Sequence, residues 1–195
     1  MRNTLAGMSR ERWVRFTILT LCVVLAGAVG LRRAWTDATV RPPSPRPVCQ
    51  LIRPAVFDIL VPGHGALEAQ GEQGSTPGTR SNTCSALSVS PTGELRASLW
   101  VALIRLGRHD GEGPRCVGRE GPLHMPIVNR VNHPAKLGDA AAYVVSDTAD
   151  TDRQVHLSVC FGTYLVYVQY AAREVGEGAL VDAATAVGQE VLAWL

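Results

Sequence analysis

Apolar and polar residues alternate through much of the chain's second half, and the alternation predicts strands. In Gln154–Phe161, Val155, Leu157, Val159 and Phe161 share one face; in Thr163–Ala171, Tyr164, Val166, Val168 and Tyr170 do. Period-two runs rich in β-branched and aromatic residues suit a pleated, half-buried surface. Gly162 alone is too short for a hairpin loop, so flanking residues are expected to join the turn. Upstream, Cys84–Ser90 reads as a strand, Pro91-Thr92-Gly93 as a turn and Glu94–Leu106 as a long strand. The long strand carries Leu95, Ala97, Leu99, Val101 and Leu103 on one face, and Trp100, Ala102, Ile104 and Leu106 on the other. Its second half is therefore expected to be buried on both faces. A helix is the alternative for this unbroken run, but the P-T-G link favours a hairpin. Ala140–Ser146 is a further strand.

Two segments have helical spacing instead. Cys49, Ile52, Val56 and Leu60 recur near a helical period, with Pro54 in the first turn of a helix that starts near Arg53 and ends at Pro62-Gly63. Leu180, Ala183, Ala184, Val187, Val191 and Leu195 form one face of a closing helix. Between these signals, the glycine-rich residues 63–83 read as a mobile loop, and residues 107–138 as irregular with room for a short helix at His133–Leu137. The order implies an α+β fold over residues 49–195: an antiparallel sheet with helices packed on one face.

The first third is different. Phe16–Leu31 is a 16-residue run with no charge, preceded by Arg2, Arg10, Arg12 and Arg15 against the single acid Glu11. Val14 extends the run, Arg15, Arg32 and Arg33 can snorkel to the interfaces, and Trp13 and Trp35 flank it as interfacial aromatics do. This predicts one N-terminal transmembrane helix over residues 14–33, with residues 1–13 cytoplasmic and the bulk of the chain beyond the membrane. A secretory signal cleaved near Ala26-Gly27-Ala28 is the competing reading, and would make the mature protein secreted. Residues 34–48 hold four prolines within 36–48, and are expected to form a semi-rigid spacer that holds the domain off the membrane.

Cysteine usage agrees with export. Cys49, Cys84, Cys116 and Cys160 all follow the apolar run, as two disulfides in an oxidising compartment would. Three pairings are open. A four-cysteine zinc site needs close pairs, and every spacing here exceeds 30 residues. Cys22 reads as a small apolar residue of the span. Charge removes another class. The basic excess belongs to the N-terminal segment; from residue 36 onward there are 13 basic and 16 acidic side chains, a balance of −3. No basic face for nucleic acid is evident.

Catalytic signatures are absent. There is no H-E-x-x-H, G-x-S-x-G, S-x-x-K or Walker sequence, and no cofactor is expected. His133 and His156 read as ordinary surface or strand positions. Asp147, Asp150 and Asp152 resemble the start of a calcium loop, but without its glycine and closing glutamate they read as a solvated turn. Tyr164 and Tyr170 share a strand face, with Tyr167 opposite, a core edge or a cleft rim. Contact residues are expected on the loops: His64 and Arg80 from 63–83, His109 and His124 from 107–133, with Tyr164 at a rim.

One stretch carries a resemblance. Cys49-Gln50-Leu51-Ile52-Arg53-Pro54-Ala55, then Phe57-Asp58-Ile59-Leu60 and Pro62-Gly63, resembles a large actinobacterial family of exported proteins, many of them lipoproteins of unknown function. Ser81-Asn82-Thr83-Cys84 and Leu137-Gly138-Asp139-Ala140-Ala141 match later parts of that pattern. The fold so implied is similar to the extracytoplasmic sensor domain of a mycobacterial serine/threonine kinase, with two disulfides and an open cleft. The chain departs from the pattern in lacking a lipid-attachment cysteine and a kinase domain, and in having Ser85-Ala86 where an aromatic often follows the second cysteine. The resemblance implies a binding or sensing module and no chemistry. Three functions are thus in play: a membrane-anchored domain binding an envelope ligand or protein; an envelope hydrolase using His109, Asp110 or His124; and a structural or assembly partner in the envelope.

Overall fold

The computed structural model describes residues 20–32, 39–71, 78–109, 111, 113–116, 133–147 and 153–195. It divides into two compact units, Met1–Ala38 and Thr39–Leu195. In the first, residues 20–32 are helical, and Leu21, Val23, Val24, Leu25, Val29 and Leu31 are all exposed. Among the described residues, no helix is long and apolar enough to cross a membrane. Residues 14–19 and 33 of the expected span lie outside the described residues.

In the second unit seven strands form one sheet: β1 (Glu68–Gln70), β2 (Thr79–Val89), β3 (Leu95–Leu106), β4 (His133–Ala135), β5 (Ala140–Asp147), β6 (Arg153–Phe161) and β7 (Tyr164–Ala172), in the order β1-β2-β3-β7-β6-β5-β4. Every neighbouring pair is antiparallel. Two hairpins, β2–β3 and β6–β7, lie side by side through the β3–β7 pairing, which puts β7 at the centre of the sheet, where none of its side chains is fully exposed. The β6–β7 loop is Gly162-Thr163, and Gly162 takes φ +55°, a left-handed conformation suited to a two-residue turn.

Alternation then sorts the side chains. Leu99, Val101 and Leu103 of β3, Val166, Val168 and Tyr170 of β7, and Val155, Leu157 and Val159 of β6 are all buried in one core. A 3-10 turn (Val48–Gln50), helix α1 (Pro54–Leu60) and helix α2 (Glu177–Leu192) pack against that core, contributing Val48, Phe57, Leu180, Ala184, Val187 and Val191. Gly188 lets α2 approach closely, since a Cβ there would stand 2.8 Å from Leu137 Cδ2. The Arg53 guanidinium, just before α1, pairs with Glu190 of α2. The disulfide Cys49–Cys84 (Cα–Cα 5.1 Å) ties the 3-10 turn to β2. Cys116–Cys160 (Cα–Cα 5.7 Å) lies in a smaller cluster with Leu106 and Leu165, on the opposite face of the sheet.

Three expectations change. Within 63–83, expected as a mobile loop, Glu68–Gln70 is β1 and β2 already begins at Thr79. The polar run Thr79–Thr83 has no strand periodicity of its own; it is extended because it pairs residue by residue with Leu106–Ala102 of β3. His133–Ala135 is an edge strand rather than a helix, with His133 opposite Tyr143 and their rings stacked at 5.2 Å, and an edge tolerates Pro134.

The third change concerns the proline-rich stretch expected as a spacer. Its second half, residues 39–47, lies against the domain as a strap. The Val40 amide donates to the Arg108 carbonyl at 2.8 Å, and Pro42 and Pro45 are buried. Asn82, 8% exposed, holds the strap's end. Its Nδ2 donates to the carbonyls of Pro45 (3.1 Å) and Arg46 (2.7 Å), and its Oδ1 accepts from the Val48 amide (2.9 Å). Proline's missing amides leave carbonyls as the strap's main handles, and an asparagine inside a strand supplies the donors. Gly107 makes the close approach possible, because a Cβ there would overlap the Val40 carbonyl oxygen.

Candidate functional site

Away from the helices, the other sheet face carries the residues that alternate with the core. Register sets them in a row: Glu68 is opposite Ser85, Ser85 opposite Trp100, Trp100 opposite Gln169, and Gln169 opposite His156. An adjacent row places Leu87 opposite Ser98. Just before β1, residues 65–67 run beside β2, with the Gly65 amide donating to the Leu87 carbonyl at 3.4 Å. Residues 65–68 and the sheet face border an open concavity of about 740 Å³. Leu67, Glu68, Leu87, Ser98, Trp100 and Gln169 are among its lining.

The chemistry of this hollow is mixed. Trp100 is 38% exposed, Leu87 56% and nearby Val89 52%, an apolar surface beside the serine, glutamine and glutamate side chains of the same hollow. Glu68 is the one ionisable group among the described lining residues. Farther along the row, burial holds the His156 imidazole below its ordinary pKa of 6.5, so it is neutral at neutral pH. Its Nε2 stands 3.5 Å from Ser146 Oγ. Volumes of roughly 300–1,000 Å³, apolar surface and a few placed polar groups are usual for small-molecule sites.

The residues expected as contacts are not gathered here. His64 sits after α1, its Nδ1 2.6 Å from the Gly65 carbonyl and its Nε2 3.3 Å from Asp58. Arg80 donates to Ser44 Oγ at 2.7 Å, and His109 Nδ1 lies 3.1 Å from Thr39 Oγ1, so both border the strap. Tyr164, at the β6–β7 turn, carries the Arg105 guanidinium 5.4 Å from its ring centroid. His124 and Asp110 lie outside the described residues, as do Asp150 and Asp152; Asp147 pairs with Arg153 at 3.5 Å. Among the described residues, no group of three His, Cys, Asp or Glu side chains could hold a metal ion.

A second hollow of about 570 Å³, near Ile59, Tyr170 and Val175, is less suited to a ligand. Its Glu94 and Arg173 pair with each other at 2.6 Å, and the Tyr170 hydroxyl donates to the Leu60 carbonyl at 3.0 Å.

Sequence reading missed the first hollow. The alternation puts Trp100 on the second buried face of β3, and it singles out nothing at Gln169. Both become neighbours only through the β2-β3-β7 order, which no local pattern encodes. A tryptophan flanked in register by serine and glutamine is the signal, and it exists only once the pairing is known.

No family model matches the chain, and no curated protein does. Among solved structures, the chain is similar to the extracellular domain of PknH from Mycobacterium tuberculosis, at 8% identity and a TM-score of 0.43. That likeness covers 80% of this chain and 100% of that chain, and no residue role is carried across from it.

Proposed function

We propose that the protein is held in the cell membrane through residues 14–33 and presents residues 39–195 outside the cytoplasm as a non-catalytic binding or sensor-like domain. One observation carries the reading: the roughly 740 Å³ hollow on the sheet face turned away from α1 and α2, where part-exposed Trp100 and exposed Leu87 stand beside Gln169 and Glu68. Apolar side chains left toward solvent on a sheet with a filled core mark a contact surface. The lining offers stacking and hydrogen bonding, the groups of recognition. Two disulfides support an oxidising location. The uncharged run Phe16–Leu31 behind four arginines supports the anchor.

The test uses the four tryptophans, Trp13, Trp35, Trp100 and Trp194. Full-length protein with ¹⁵N-labelled indoles gives four N–H signals, and Trp100→Phe assigns one. Titration with soluble material extracted from the producing cell's envelope is expected to move the Trp100 signal selectively. Movement confined to other tryptophans, or none, would count against this face as the binding surface.

A further inference from the structure

We infer that the hollow beside Trp100 takes a neutral saccharide; this rests on the reading that the hollow is a binding site. The argument is chemical complementarity. A sugar ring has an apolar C–H face and a rim of hydroxyls. The site has an indole at its centre, with a hydroxyl on one neighbouring strand (Ser85) and a carboxamide on the other (Gln169), all in one register row. Strands are spaced about 4.8 Å apart, so Ser85 to Gln169 spans about 10 Å across the tryptophan. An amide offers both donors and an acceptor, and a carboxylate accepts from two hydroxyls at once, which matches the vicinal diols of a sugar. Ser98 adds a further hydroxyl in the next row, and Leu87 extends the apolar floor.

Other ligand classes fit less well. An acidic ligand, such as a phosphate ester or a uronic acid, would face Glu68 with no arginine, lysine or histidine among the described lining residues to offset it. A wholly apolar ligand would cover Gln169 and Ser98 and leave their polar groups without partners. The hollow's size, about 740 Å³, suits a short oligosaccharide rather than one ring.

The test uses the same indole signals on the disulfide-bonded full chain, in a detergent with no sugar headgroup. The probes are maltose, cellobiose and N,N′-diacetylchitobiose, set against glucuronic acid and glucose 6-phosphate. At least one neutral disaccharide is expected to move the Trp100 signal and leave that of Trp194 in place. The acidic sugars are expected to bind at least about fivefold more weakly, with Glu68→Gln narrowing the gap. By isothermal titration calorimetry, which needs no indole at the site, Trp100→Ala is expected to weaken binding about tenfold, and Gln169→Ala severalfold. Both positions are at the surface, and unchanged thermal unfolding of either variant separates lost contact from lost fold. Equal or tighter binding of the acidic sugars overturns the inference. So does silence toward every saccharide while sugar-depleted envelope extract still moves Trp100, a result that leaves the binding reading standing. Silence toward saccharides and extract alike overturns both.

Discussion

Asn82 should be the most informative single residue for stability. Its side chain is 8% exposed and makes three hydrogen bonds to main chain of the 45–48 segment, at 2.7, 2.9 and 3.1 Å. Asn82→Ala removes all three. At a net contribution of about 1 kcal/mol each, the loss is about 3 kcal/mol. It is larger if the Val48 amide stays buried, since Val48 itself is 1% exposed and an unpaired buried donor costs about 1–3 kcal/mol. For a domain of this size, 3 kcal/mol lowers the unfolding midpoint by roughly 6–12 °C. Near-UV circular dichroism of the full chain, with disulfides intact, measures the shift. Amide hydrogen exchange supplies a second readout: undocking the strap frees the Val40 amide from the Arg108 carbonyl and the Val48 amide from Asn82 Oδ1, so exchange at both should accelerate before the domain melts. A midpoint within about 1 °C of the parent, with unchanged exchange at Val40 and Val48, would refute the claim that Asn82 holds the strap.

Three further outcomes follow from the same packing. Gly107→Ala should loosen the strap by an independent route, because its Cβ would collide with main-chain oxygens of Val40 and Gly78, neither of them the free end of a flexible side chain; faster hydrogen exchange of the Val40 amide with Asn82 intact checks it. Replacing both Cys49 and Cys84 by alanine opens a 35-residue loop and should cost about 4 kcal/mol in urea unfolding on a chain-entropy basis, with failure to fold as the extreme form of the same result. Stability should fall as pH drops through the histidine range. Burial lowers the native pKa of His156 below its ordinary 6.5, so the unfolded chain binds the proton first and stability rises with pH across that window, levelling off above it. Urea midpoints between about pH 5 and pH 8 should show a shallower slope for His156→Gln than for the parent.

Much of the fold was legible because its signals are local. The β6–β7 hairpin, the P-T-G hairpin and α2 all follow from side-chain period and turn residues within their own windows. What escaped was set by partners distant in sequence. Thr79–Thr83 is polar throughout, yet it is strand because β3 offers a free edge. Residues 39–47 have the composition of a spacer, yet they dock because Asn82 and Gly107 prepare a place for them. The candidate site escaped for the same reason. Histidines and loops drew attention as the usual carriers of chemistry, whereas the hollow is built from Trp100, Gln169 and Glu68, whose adjacency depends on strand order.

A disulfide-stapled domain that presents its Trp100 face outside the cytoplasm leaves position 87 open to reagents in the medium, and Leu87→Cys probes that placement. With the four other outer cysteines paired, the new thiol at the 56% exposed Leu87 position is accompanied only by Cys22 of the apolar run. Intact spheroplasts treated with a membrane-impermeant maleimide should label it rapidly, and the parent protein should take up no label. Labelling that appears only after the membrane is lysed, or that never appears on folded protein, would rule out an exposed Trp100 face outside the cytoplasm.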